Sequence, residues 1–458
     1  MLDAPKINTG LRKLKILVVV VTMLFWLPVS ASVGGQSAGV SVSEFGAKPN
    51  DGIDDTEAIQ RALDSGKNVF IPSGKYETSS QLKLGHRGQI VEGENKYDAL
   101  IERQNPHGPI LLVDLPHVTI QNLRLQYDIL YDRGKIEFLR AVKNKGQGAI
   151  IFFGDTSTRT IGGKGWGTLR SLMLRNGYTG LENDHIASDS GVFSWLFENL
   201  YIRRINGHFI RINPAHSGNS GNLFNNIYLA NSRNENFKII SAIDYSEGSN
   251  SVFNQLNVEA ISIDCGSSAI KIKNISGIVV NGLHFEDITQ CSSNKNYSSL
   301  IKLGSRSYAV FNGLYVNKLS HAKFDSLGEP TEYAVFELTS NGRAQPRLKV
   351  SELSMRNLAG RRKLKYLQSN VKSFEASKKY LLNISDRNLS PGRGLTVNME
   401  NMSIPTSLTA INSPAVFDNV YESVSYLDIR FLSMSGEYVI VKGDGEKLSK
   451  QYGRFFIE

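Results

Sequence analysis

Apolar residues recur along this chain in a short element, apolar–x–x–Leu–x–apolar, whose alternation has a period of two rather than the 3.6 of a helix. By its first, fourth and sixth positions it reads Ile120/Leu123/Leu125, Leu169/Leu172/Leu174, Phe197/Leu200/Ile202 and Phe224/Ile227/Leu229. It continues as Phe253/Leu256/Val258, Val280/Leu283/Phe285, Phe311/Leu314/Val316 and Val350/Leu353/Met355, with a weaker copy at Met399/Met402/Ile404. From Leu172 to Leu314 the central positions are 28, 27, 29, 27 and 31 residues apart. Short strands repeating at that interval predict a β-solenoid, each coil burying its apolar positions against the next. Asn225, Asn254, Asn281 and Asn312 stand two residues before the central position on four successive repeats. Asparagine tolerates the left-handed conformation of a tight bend, so the column predicts an amide ladder at a corner of the coil.

Upstream of the repeat lie Val42-Ser43-Glu44-Phe45-Gly46-Ala47-Lys48, then Asp51-Gly52-Ile53-Asp54-Asp55-Thr56-Glu57-Ala58-Ile59-Gln60, then Val69-Phe70-Ile71-Pro72-Ser73-Gly74-Lys75-Tyr76. This opening resembles that of the pectate-lyase superfamily, in the branch that holds rhamnogalacturonase- and epimerase-like proteins, polygalacturonases and phage tailspikes. The resemblance implies an all-β fold, a single-stranded right-handed parallel β-helix with an N-terminal capping helix that plugs the open end of the solenoid, where exposed strands invite aggregation. It extends from about residue 40 to 405, leaving 406–458 as C-terminal strands that close the solenoid. Asp54 and Glu57 form a capping-box-like pair opening a helix whose Ile59, Ala62 and Leu63 share one face, with Gly66 past its end. Asp51, Asp54 and Asp55 are therefore expected to be structural rather than a catalytic cluster.

The first residues change the expected location. Arg12, Lys13 and Lys15 precede an apolar run from Ile16 to Leu27, then Pro28 and the small residues Val29-Ser30-Ala31. That order is a secretory signal peptide over residues 1–31, and the run falls short of the ~20 residues a membrane span needs. Export predicts a secreted or periplasmic protein with no stable membrane span after cleavage. The formal charge of +9 becomes +6 once four cations and one anion leave with that segment. The mild excess favours an anionic partner; without a nucleic-acid motif in an exported chain, an acidic polysaccharide fits better than nucleic acid. The cysteines, Cys265 and Cys291, lie nine and eight residues after Leu256 and Leu283, so neighbouring turns would bring them together as a disulfide in an oxidising compartment.

A second strand, with an apolar–x–apolar centre, falls between the repeats: Leu181-Glu182-Asn183, Ile210-Arg211-Ile212, Phe237-Lys238-Ile239, Ile270-Lys271-Ile272, Ile301-Lys302-Leu303 and Phe336-Glu337-Leu338. The middle residues point outward, one per turn and about 4.8 Å apart. Arg211, Lys238, Lys271 and Lys302 would then form a row of four cations. Like charges stacked this closely repel, so the row calls for a compensating anion, against the plainer reading of a solvated basic strand. In the resembled families the same face lines the substrate groove. Asp184, His185, His208, Glu235, Asp244, Tyr245 and Glu247 flank the row, the mixture of carboxylates, imidazoles and cations that general acid/base chemistry requires.

What the resemblance implies chemically is cleavage of a polysaccharide. In a lyase, Arg211 or Lys238 would neutralise a uronate carboxylate, with His208, His185 or Tyr245 as base and acid. In a glycoside hydrolase, Glu182 with Asp184 or Glu235 would supply two carboxylates. The polygalacturonase aspartate set is absent from the sequence, which favours the lyase. Asp244, Lys271 and Lys302 are expected to bind substrate. No dense acidic cluster suggests a resident metal, although calcium stays open, and an epimerase or a non-catalytic polysaccharide-binding or assembly factor would use the same groove. The segment Gln126–Gln147, which interrupts the repeat, would form a wall or lid beside it or else an idle excursion.

Overall fold

A computed structural model describes residues 39–128, 146, 148–154, 164–183, 191–213, 218–231, 238–263, 267–292, 298–323, 332–339, 346–356, 378–384, 395–403, 409–412, 424–433 and 453–457. The strands stack in parallel, turn upon turn, as a right-handed solenoid. Phe197 lies in register with Phe224, Phe253, Val280, Phe311 and Val350, and Leu200 with Ile227, Leu256, Leu283, Leu314 and Leu353. All of these side chains are buried in one continuous core.

Strict alternation would put the first and fourth positions of the element on opposite faces. The residue before the central position resolves this by adopting left-handed backbone: Asn122, Ser171, Asn199, Asn226, Gln255, Gly282, Gly313 and Glu352 have φ between 52° and 70°. One left-handed residue per turn bends the strand and resets its phase, so both apolar positions enter the core. Glycine adopts this conformation without strain at positions 282 and 313. The asparagine column stands one residue earlier, so the expectation that its own backbone takes the bend is corrected. Its side chains do form a ladder. Asn254 Nδ2 donates to Asn225 Oδ1 (2.9 Å), Asn281 to Asn254 (2.8 Å) and Asn312 to Asn281 (2.9 Å). Inside, Phe197, Phe224 and Phe253 stack face to face, with centroids 4.3 and 4.1 Å apart.

The helix Thr56–Asp64 buries Ala58, Ile59, Ala62 and Leu63 over the first coil, and Gly66 follows it with φ 76°. Its capping differs from the expected box. Asp55 precedes the helix without capping it, and the reciprocal box forms instead between Ser41 and Glu44. Asp54 ties the helix start to the coil, accepting from Thr56 N (3.0 Å) and from Ser79 N (3.2 Å) and Oγ (2.6 Å). Asp51 accepts from Ile53 N and Asp55 from Lys48 N, both at 2.9 Å, so all three aspartates are engaged with backbone. At the far end parallel pairing runs past residue 405: Leu395–Ser403 pairs with Val424–Ser433, and that strand with Gly453–Ile457. Residues 1–31 lie outside the described residues, among which no helix is long and apolar enough to cross a membrane.

Two consequences are measurable. Phe224→Ala removes the middle ring of the stack and is expected to cost about 3–5 kcal/mol in denaturant unfolding, well beyond Phe224→Leu. Partial burial pushes the Asp54 carboxyl up, but its bonds from Ser79 and Thr56 outweigh that, and its pKa lies below the ordinary 3.8. The stabilisation is therefore complete above 3.8 and lost as pH falls through the lower folded value. Asp54→Ala should cost about 0.5–2 kcal/mol near neutrality, and its melting-temperature difference from the parent should shrink in acid.

Candidate functional site

A second left-handed residue, at Asn176, Arg204, Ala260 and Asp287, turns the chain into the next sheet. Here two consecutive side chains enter the core on each turn: Phe209 and Ile210, Ala242 and Ile243, Ala269 and Ile270, Leu300 and Ile301, Val335 and Phe336. Outward positions consequently stand three residues apart, and two columns form side by side. The first, by register, is Glu182, Arg211, Asp244, Lys271, Lys302 and Glu337. The second joins Thr179, His208 and Ser241 with Ser268 and Ser299, and all five are buried. Toward the N-terminus the same face turns apolar, with Leu112, Ala149 and Phe152 packed together.

This register corrects the predicted cation row. Asp244, not Lys238, lies between Arg211 and Lys271. Lys238 pairs with Ser262 on the stretch that leads into the sheet, and its side chain is outside the described residues. Both Phe237-Lys238-Ile239 and Ile243-Asp244-Tyr245 fit apolar–x–apolar, and extra residues after Asn231 displaced the true member. The column therefore carries its own counter-ions. Arg211 Nη1 meets Glu182 Oε1 at 3.3 Å and Lys302 Nζ meets Glu337 Oε1 at 2.8 Å. Ser299 Oγ donates to Glu337 Oε2 (2.9 Å) and lies 2.7 Å from Ser268 Oγ, which joins the two columns.

Between the two ion pairs stand Asp244 and Lys271. Burial pushes the Asp244 carboxyl up, against the downward pull of Lys271, Arg211 and Lys273. Burial pushes the Lys271 ammonium down, opposed by Asp244 and reinforced by Lys302. Burial thus raises the carboxyl and lowers the ammonium, while each group favours the charged form of the other. His208 Nδ1 lies 2.6 Å from Ser241 Oγ, one turn along the second column.

Tyr245 is corrected as an acid or base. It points inward and is fully buried, its hydroxyl held by Asn222 Nδ2 (2.8 Å) and Ser251 Oγ (2.7 Å). Burial pushes its pKa up to about 12, and no substrate reaches it. Asp184, His185, Glu235, Cys265 and most of the segment 126–147 lie outside the described residues, as does the side chain of Cys291. The structure thus brings together Glu182, His208, Arg211, Asp244, Lys271 and Lys302. Sequence reasoning missed the hydroxyl column. Its signal was a Thr, His or Ser three residues before five of the six charged positions, at Thr179, His208, Ser241, Ser268 and Ser299, with Ala334 before Glu337. Among the described residues no group of three or more His, Cys, Asp or Glu side chains is placed to hold a metal ion.

Residues 39–293, more than half of the chain, match the family described as Rhamnogalacturonase A/epimerase, pectate lyase-like. The chain belongs to this family. No curated protein sequence is detectably similar. Among solved structures, the enzymatically active domain of tailspike protein 2 from bacteriophage CBA120 is 12% identical with a TM-score of 0.52, over 82% of this chain and 51% of that one. Full-length tailspike protein 2 from the Escherichia coli O157:H7 bacteriophage CAB120 is 13% identical with a TM-score of 0.51, over 82% and 46%. At this identity the likeness is one of fold, and the chain spans about half the length of these tailspikes. The solenoid is common to the family and to these structures; the chemistry is read from this chain's own columns.

The ion pair at the end of the column has a stability consequence. Glu337 is almost wholly shielded, so Lys302→Met removes a charged partner from a buried acceptor and should cost about 1–3 kcal/mol. Combining it with Glu337→Gln should recover much of the loss in thermal unfolding.

Proposed function

We propose that this chain is an exported enzyme that cleaves a uronate-containing polysaccharide by β-elimination across the charged column. The observation that carries the reading is the Asp244–Lys271 neighbour pair, both driven toward neutrality by burial and flanked by Arg211. Arg211 neutralises the uronate carboxylate, which makes the adjacent carbon acidic. Lys271, once it has lost its own proton, takes the proton from that carbon. The electron pair forms the ring double bond as the bond to the leaving oxygen breaks, and Asp244, when it carries a proton, supplies the one that oxygen needs. Family membership supports action on a polysaccharide, and the apolar run 16–27 supports export.

Hydrolysis is the second reading, and one observation favours it. Glu182 and Asp244 lie two turns apart, about 9–10 Å between backbones at the usual strand spacing. Inverting hydrolases hold their carboxyl groups roughly 6.5–9.5 Å apart. Asp244 would then be the acid and Glu182, paired with Arg211, the base.

Incubation of the mature protein with acidic polysaccharides decides between them. Elimination yields the ultraviolet absorbance of an unsaturated uronate, hydrolysis new reducing ends without it, and a binding protein neither. Lys271→Arg keeps a cationic side chain that cannot deprotonate in the working range, so turnover should fall at least ~100-fold while binding persists. Because burial lowers the Lys271 pKa, the rate should rise with pH through a midpoint below the ordinary 10.5. Full elimination by Lys271→Arg would end this assignment.

A further inference from the structure

With its charges interleaved, the column offers little net attraction for a polyanion, whereas a cluster of arginines lies on the neighbouring sheet. There the strands Arg124–Tyr127, Met173–Arg175 and Leu196–Arg203 stack in register, Gln126 over Arg175 over Arg203, with Leu125, Leu174 and Ile202 in the core behind them. The alternation therefore sends Arg124, Arg175 and Arg203 outward from three successive turns, with Arg204 at the corner beyond.

The nearby acids are held by other groups, although Glu102 also acts on Arg124. Glu102 faces Lys75 Nζ at 3.3 Å with one oxygen and Gln126 Nε2 with the other. Glu198 is held by Arg170 at 2.6 Å. Arg124 spends its Nε and one Nη on the amide oxygen of Gln126 (2.9 and 2.5 Å), and Arg203 Nη1 finds only the Tyr201 hydroxyl (3.3 Å). The Nε atoms of Arg175 and Arg203 are sealed from solvent without an acceptor. Burial, then the neighbouring Arg124, Arg204 and Arg203, lowers the Arg175 pKa. Guanidinium groups on adjacent strands, about 4.8 Å apart, repel unless something anionic lies across them, and a planar fork suits a carboxylate.

We propose that the outer face built by Arg124, Arg175 and Arg203 is a second binding surface, one sheet away from the charged column, for the carboxylates of an acidic polysaccharide. It rests on the reading that the substrate is a polysaccharide, and adds that the polymer's charge is gripped away from the bond-breaking groups. The polyanion is a glycan rather than nucleic acid because the face adjoins, across one corner, the sheet proposed to cleave it, so a single extended chain can touch both.

The test uses polygalacturonate and its methyl ester as probes, with affinity electrophoresis of the full chain as readout. Arg175→Gln with Arg203→Gln keeps much of each aliphatic stem and removes both charges. This variant should bind polygalacturonate about tenfold more weakly and lose much of the salt dependence, while binding the neutral ester as the parent does. Its turnover of a short oligouronide should be unchanged and its melting temperature equal or higher, because repulsion is relieved. Wild-type affinity for polygalacturonate in this variant overturns the proposal, as does a parent that binds duplex DNA as tightly as polygalacturonate or binds neither glycan. Lys271→Arg in the same gels separates the two readings: lost turnover with retained binding bears on the column alone.

Discussion

In-register parallel stacking places each side chain one strand spacing, about 4.8 Å, from its counterpart on the next turn. Every column must therefore be self-compatible along its length. Apolar columns satisfy this by burial, the phenylalanines of positions 197, 224 and 253 by face-to-face contact. The asparagines of positions 225, 254, 281 and 312 satisfy it by donating down the column and accepting from above. A charged column has one internal solution, alternation of sign, and Glu182–Arg211–Asp244–Lys271 adopts it. Where the sign repeats, at Lys271 and Lys302, Glu337 closes the far side.

The same constraint explains what was legible in the sequence. The core columns were readable because burial selects one residue class and the repeat interval hardly varies, from Leu172 to Leu314. The asparagine ladder was readable because an amide is its own best partner. The charged column was only partly readable, because apolar–x–apolar describes many outward positions and an excursion of unpredictable length precedes each strand. After Asn231 that excursion put Lys238 where Asp244 was needed. Tyr245 was misread for a related reason: its strand position was known only to within one residue, and one residue separates the groove from the core. The buried hydroxyls needed the doubled inward residues, Ala242 with Ile243 or Ala269 with Ile270, which break simple alternation.

Those doubled residues also decide where chemistry can occur. On an ordinary strand outward neighbours are separated by one inward residue and stand apart along the sheet. Here two inward residues lie between them, yet Ser299 reaches Glu337 on the next turn and the two columns share one network. Charge, hydroxyl and imidazole then crowd into a partly desolvated strip, and desolvation is what moves Asp244 and Lys271 off their ordinary values. Exposed on a flat sheet, the same residues would be solvated ions without acid or base capacity near neutrality.

A self-neutralised strip attracts a charged polymer poorly. An arrangement that pairs its acids and bases internally gives up long-range pull on a charged polymer, since fields from neighbouring opposite charges cancel beyond a Debye length of about 8–10 Å. The arginines at 124, 175 and 203 have the opposite character: like charges side by side, with no acceptor for the Nε atoms of Arg175 and Arg203. With attraction proposed on one sheet and reaction on the next, each is free of the other's constraint. Burial moves the Asp244 carboxyl up against the downward pull of Lys271, Arg211 and Lys273 that already surround it, and a row of arginines beside it would strengthen that pull. On the neighbouring sheet the same row can face carboxylates without acting on Asp244.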